Sequence, residues 1–112
     1  MICIGAVVRG QAPGPNAVVL KNNQTMLDCV VAETTIAQWT RTTDGTNNPL
    51  TIASGCNVTG NNSAYYSTEQ PGGNICRLII RNATMQQAGV YDCFDGASTT
   101  YRSLVTVIGE LQ

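Results

Sequence analysis

Cysteine is the residue type with the most chemistry to offer in this 112-residue sequence, at Cys3, Cys29, Cys56, Cys76 and Cys93. Five thiols in so short a chain point to disulfides, which persist in oxidising compartments. None falls in a C-x-x-C pair, so the spacing makes no case for a zinc site. Histidine is absent, which removes the usual general base, the serine and cysteine triads and the commonest metal ligand. The acids Asp28, Glu33, Asp44, Glu69, Asp92, Asp95 and Glu110 form no recognisable pair. The glycines suit turns, and none builds a loop opening a helix that would hold phosphate. These residues point away from an enzyme, from any cofactor and from a small-molecule substrate.

Asparagine carries the second chemistry. Asn23, Asn57, Asn61 and Asn82 each open an N-x-Ser/Thr sequon, the acceptor pattern for N-linked glycans. Together with the cysteines, the sequons indicate an extracellular protein, secreted or part of a cell-surface ectodomain. Charged residues make up 12% of the chain and the net charge is −1, with Lys21 the only lysine. A nucleic-acid partner needs a basic stripe, and this composition provides none. No apolar run approaches the ~20 residues of a membrane-spanning helix, so a membrane enters only through a segment not in this sequence. The apolar opening, residues 1–8, has no preceding basic residues and reads as a first strand rather than a signal peptide.

The elements that must position these residues are strands. Thr, Val and Ile are abundant, and β-branched side chains favour a pleated sheet. Turn signals fall at short intervals, and the segments between them alternate. Residues 2–8 read as an edge strand ended by the turn 11–15, with Ala17–Leu20 a short second piece. Residues 25–32 alternate with Leu27, Cys29 and Val31 on one face. Strands follow at 36–42 and Leu50–Ser54, separated by the turn 44–49. A Gly/Asn-rich stretch at 55–62 then breaks the pattern. Residues 63–68 form a weaker strand, 75–82 place Cys76, Leu78 and Ile80 on one face, and 84–88 suit a single helical turn. Strands at 90–94 and 101–108 close the chain around a polar loop at 95–100. Eight or nine strands without a long helix mean an all-β sandwich or barrel in one domain spanning residues 1–112.

Cys29, Trp39 and Cys93 stand in the order of an inter-sheet cysteine pair with a tryptophan packed against it, and Gly89-Val-Tyr-Asp-Cys93 places Tyr91 where a tyrosine corner sits. With these residues, and with 78–93 matching its E–F segment almost throughout, the chain resembles the immunoglobulin superfamily from about Pro15 to Ile108. The resemblance implies an immunoglobulin-like two-sheet Greek-key sandwich. The long interval between Cys29 and Cys93 leaves room for extra C′ and C″ strands, which favours the variable (V) type. Cys29, Cys93, Trp39 and Tyr91 then hold the fold, and closing that long loop contributes about 4 kcal/mol in the chain-entropy view.

Two departures stand out. The family commonly has an aspartate at the position of Gln87, paired with an arginine at the start of strand D. The stretch 63–67 has no arginine, so both halves of the ion pair are missing together. The last strand, 100–107, also lacks the Phe/Trp-Gly-x-Gly bulge of antigen-receptor domains. That absence argues against an antibody-style heterodimer and suits variable-type receptors of invertebrates and early chordates.

In a V-type sandwich the C′–C″ loop and the start of strand E share one end, which implies a second disulfide between Cys56 and Cys76. Cys3–Cys76 is the rival pairing, and an odd cysteine left over suggests an interchain bridge or a partner lost by truncation, with a buried or capped thiol as the alternative.

If Trp39 points inward, Gln38 and Thr40 face outward, as do Asp92, Phe94, Leu104 and Thr106 on neighbouring strands. An exposed Phe94 near Leu104 would form an apolar centre with a polar rim, the anatomy of a contact site. By resemblance, Gln38, Thr40, Phe94 and Leu104 on the front GFCC′ sheet bind a protein partner, including a second copy of the chain in a homodimer. The competing surface is the loop end, residues 32–35, 54–62 and 95–100, where glycans at Asn57 and Asn61 would shield the middle loop. The function these readings imply is an extracellular recognition module of an immune-type or cell-adhesion receptor. The alternative is a structural spacer domain of a larger extracellular protein.

Overall fold

The computed structural model describes residues 11–42 and 49–109. The expected edge strand at 2–8, Cys3 and most of the turn at 44–49 lie outside the described residues. Among the described residues, ten strands build two sheets: β1 (Gln11–Pro13), β2 (Ala17–Leu20), β3 (Thr25–Val30), β4 (Gln38–Thr42), β5 (Leu50–Ser54), β6 (Asn57–Val58), β7 (Tyr66–Glu69), β8 (Ile75–Ile80), β9 (Gly89–Phe94) and β10 (Thr100–Ile108). The front sheet runs β1-β10-β9-β4-β5-β6, with β2 also paired to β10, and the back sheet runs β3-β8-β7. The chain crosses between sheets after β2, β3, β6 and β8, which gives the Greek-key connectivity.

Period-two alternation puts one face of each strand into the space between the sheets. Leu27, Cys29, Leu78, Ile80 and Tyr66 of the back sheet meet Trp39, Ile52, Tyr91, Cys93, Val105 and Val107 of the front in one buried cluster. Trp39 is in register with Cys93 on β9 and Ala53 on β5. The indole therefore sits beside the sulfur bridge, with 1% of its surface exposed.

Two stretches differ from the sequence expectation. Residues 11–15 were expected to be a turn, but Gln11–Pro13 forms β1, parallel to Thr100–Arg102. Turn-rich composition hid this strand, because a proline on a sheet edge removes a donor that faces away from the ladder. Between β1 and β2, Gly14, Pro15 and Asn16 oppose only Ser103 and Leu104. The extra residue is absorbed by a bulge. The Gly14 N–H donates to the Arg102 carbonyl at 2.7 Å, and the Asn16 side-chain carbonyl takes the Leu104 N–H at 2.9 Å. A side chain at Gly14 would bring its Cβ within 2.6 Å of Ser103 Oγ.

The stretch 55–62, read as a break, contains a hairpin. Ser54 pairs with Asn57 across Gly55 and Cys56, whose φ values of 61° and 59° are both left-handed. That is the geometry a two-residue hairpin needs to match strand twist. Gly60–Ala64 then forms a 3-10 turn leading to β7, so the strand expected at 63–68 starts later. The helical turn expected at 84–88 is present as Met85–Gln87.

Candidate recognition surface

The register of the front sheet arranges its outward side chains in rows across the strands. The upper row is Thr100, Phe94, Gln38, Ser54 and Asn57, from β10 to β6. The middle row is Arg102, Asp92, Thr40 and Thr51. The lower row is Leu104, Val90 and Thr42. Below it, Val18 of β2 stands beside Thr106.

Gln38 is exposed, and Thr40, Asp92 and Phe94 are half-buried. Leu104 keeps 48% of its surface exposed and Val18 71%. The outward positions therefore lie where strand parity puts them. The expected neighbourhood of Phe94 and Leu104 does not form. Phe94 pairs with Thr100, whereas Leu104 pairs with Val90, and the four-residue offset sets them roughly 14 Å apart along the strands. Parity assigns a face but not a row, and the row is fixed by the β9–β10 register.

The apolar neighbours of Leu104 are Val90 and Val18, which the sequence reading did not single out. Only the antiparallel β9–β10 ladder and the parallel β2–β10 ladder reveal them. Between the upper and lower rows, Arg102 grips Asp92 through two bonds, Nε–Oδ1 at 2.9 Å and Nη2–Oδ2 at 3.1 Å. The bond and charge of Asp92 raise the Arg102 pKa above its ordinary value.

At the loop end, Asp95 organises the β9–β10 loop. Its Oδ1 accepts the N–H groups of Ala97, Ser98 and Thr99 at 2.8–3.0 Å. Burial opposes its charge, but these donated bonds outweigh burial and hold the carboxyl below its ordinary pKa. The Asp95 carbonyl accepts the N–H groups of Ala32 and Glu33, which binds the β3–β4 loop to the same node. Gly55 is tied to this end through its N–H bond to the Ala37 carbonyl at 2.8 Å. The three loops thus form a fixed platform.

Cys29 bonds to Cys93, and Cys56 bonds to Cys76, with Cα–Cα separations of 6.5 and 5.8 Å. The second bond excludes the Cys3–Cys76 pairing. Tyr91 donates to the Gln87 carbonyl at 2.6 Å, the tyrosine-corner bond. In the absence of an ion pair, the Gln87 side chain turns back to accept the Thr84 N–H at 2.9 Å, and Tyr66 meets the Tyr91 hydroxyl at 2.8 Å.

The sequon asparagines Asn23, Asn57, Asn61 and Asn82 are all exposed. Asn57 ends the upper row at the β6 edge of the front sheet. Asn23 and Asn82 lie at the end opposite the loop platform, where the Ala83 N–H donates to the Asn23 carbonyl. Among the described residues, no group of three or more Cys, Asp or Glu side chains is placed to hold a metal ion, and no helix is long and apolar enough to cross a membrane.

Two sheets bridged by a disulfide, a tryptophan beside it, a tyrosine corner and the extra β5–β6 strands define an immunoglobulin-like V-type domain. Among solved structures, the chain is similar to that of the ZIG-8 IG1 homodimer, at 25% identity and a TM-score of 0.69, covering 88% of this chain and 83% of that one. No family model and no curated protein matches the sequence. Matching solved chains number 1983, so the shared fold alone does not select a partner.

Proposed function

We propose that this domain is an extracellular recognition module of an immune-type or adhesion receptor, and that it associates with a second copy of itself through the front sheet. It uses no cofactor and performs no catalysis. The observation that carries this reading is the outward face of β10 and β9. There, Leu104, Val90 and neighbouring Val18 make an apolar area beside the Arg102–Asp92 pair, with polar Thr106, Thr42 and Thr40 around it. An apolar centre with a polar rim is how protein interfaces are built. The similarity to a domain solved as a homodimer supports the same reading. Two disulfides and exposed sequons support an extracellular setting.

Light scattering on a size-exclusion column, with and without reductant, tests the proposal. A dimer that survives mild reduction and dissociates on Leu104→Arg is the expected result. A dimer lost on reduction would move the contact to Cys3. A monomer under both conditions would sink self-association and leave a foreign partner or a spacer role. Phe94→Arg provides a second probe, since it alters the upper row without touching the lower one.

A further inference from the structure

The charge pattern of the front sheet selects one way for two copies to meet. A two-fold contact between identical faces has its axis in the plane of the interface, so it acts on the rows and strands as a mirror line. Laid along the rows through the middle row, that line sets Arg102 against Arg102 of the partner subunit and Asp92 against Asp92 of the partner subunit. Laid along the rows above or below, it buries the ion pair against Phe94 and Thr100, or against Leu104 and Val90. Laid parallel to the strands, midway between β10 and β9, it exchanges the members of each pair in the β9–β10 register.

We infer that a second copy of the chain docks on β9 and β10 about a two-fold axis parallel to those strands, so that Arg102 meets the partner's Asp92 and Leu104 meets the partner's Val90. This rests on the self-association proposed above and specifies its geometry. Opposite charges then oppose each other twice, which is the arrangement that complementarity favours, and apolar side chains oppose apolar ones.

Asn57 supports the same axis. Among the described residues, the sheet extends three strands beyond β9 on one side (β4, β5, β6), but beyond β10 it has only β1 and β2. With the mirror line between β9 and β10, β4 faces the β1–β2 edge, while β5 and β6 overhang it. The exposed Asn57 on β6 lies about two strand spacings of 4.8 Å beyond the contact, so a glycan there projects clear of it. An axis along the rows would instead bring the β6 edge of each copy, with Asn57 on it, against its own equivalent.

Two experiments on the whole chain fix the axis. Val90→Cys and Leu104→Cys variants, checked for native unfolding transitions, are mixed and mildly oxidised. Cross-linking between the two variants, exceeding several-fold that of either alone, is the expected result. Leu104→Cys linking to itself, or no link in a mixture that scatters light as a dimer, would overturn the axis while leaving self-association standing. A monomeric wild-type chain overturns both.

The second experiment uses the double variant Asp92→Arg/Arg102→Asp mixed with wild type. With a strand-parallel axis each protein pairs with itself, because a mixed dimer opposes Asp to Asp and Arg to Arg. Preferential mixed dimers would overturn the inference.

Discussion

Cys29 and Cys76 stand directly opposite each other on β3 and β8, yet each forms its disulfide with a different cysteine, Cys93 and Cys56 respectively. Adjacent inward positions on the back sheet thus launch two bridges side by side. One reaches β9 in the centre of the front sheet. The other reaches the β5–β6 turn at its edge, and it secures Cys56, which holds a left-handed conformation that non-glycine residues rarely adopt.

The two bridges should therefore differ in their effect on the fold. The Cys29–Cys93 bridge closes 64 residues and Cys56–Cys76 closes 20. By chain entropy, removing them costs about 4 and about 3 kcal/mol respectively. Urea unfolding of the Cys29→Ala/Cys93→Ala and Cys56→Ala/Cys76→Ala variants measures this. The second pair should also lose hydrogen-exchange protection across β5–β6, while β9 and β10 keep theirs.

The Tyr66–Tyr91–Gln87 chain predicts an alkaline limit to stability. Burial is the largest cause raising both phenol pKa values above their ordinary value near 10. The folded state therefore holds protons that the unfolded chain releases, so stability is full below pH 10 and falls as pH rises above it. Urea midpoints measured between pH 8 and 11 should decline, with a shallower decline in Tyr66→Phe. At neutral pH, Tyr91→Phe should cost about 1–3 kcal/mol, since it leaves the Tyr66 hydroxyl and Gln87 carbonyl without their partner. Tyr66→Phe keeps the corner bond and should cost about 1 kcal/mol.

The core of this fold was legible in the sequence because burial imposes periodicity. Leu27, Cys29 and Val31, like Cys76, Leu78 and Ile80, alternate inward as their spacing requires. What alternation does not encode is register. Phe94 and Leu104 share a face, but their separation depends on which β9 residue pairs with which β10 residue. The β1 strand escaped notice because its pairing is parallel and its sequence is built from turn residues. The β5–β6 hairpin was hidden because Cys56 occupies a position where Gly or Asn is usual. The loop platform depends on Asp95, whose role comes from three donors in its own loop and two from a distant one.

That platform predicts an acid limit. The Asp95 carboxyl titrates below its ordinary value because backbone donors hold its charge against the cost of burial. Its contribution is present above the unfolded value near 3.8 and is lost as pH falls through the lower folded value. Thermal midpoints between pH 2.5 and 6 should fall at the acid end, and Asp95→Asn should flatten that fall while keeping the oxygen acceptor. Asp95→Ala leaves three N–H groups without their acceptor and should cost about 1–3 kcal/mol at neutral pH.

Gly96 gives the same platform a steric test. Its φ of 89° lies where side chains are strained, and an added Cβ would fall 2.3 Å from the Glu33 carbonyl oxygen. The Glu33 backbone cannot yield without breaking its N–H bond to the Asp95 carbonyl. Gly96→Ala should therefore push the β3–β4 and β9–β10 loops apart, at a cost of about 1–3 kcal/mol for the backbone strain. Hydrogen exchange at Ala32 and Glu33 should quicken, whereas the front-sheet rows, anchored by β4, β9 and β10, should keep their protection. If recognition resides on those rows, the variant retains self-association in light scattering. If it resides in the loops, association fails together with loop protection.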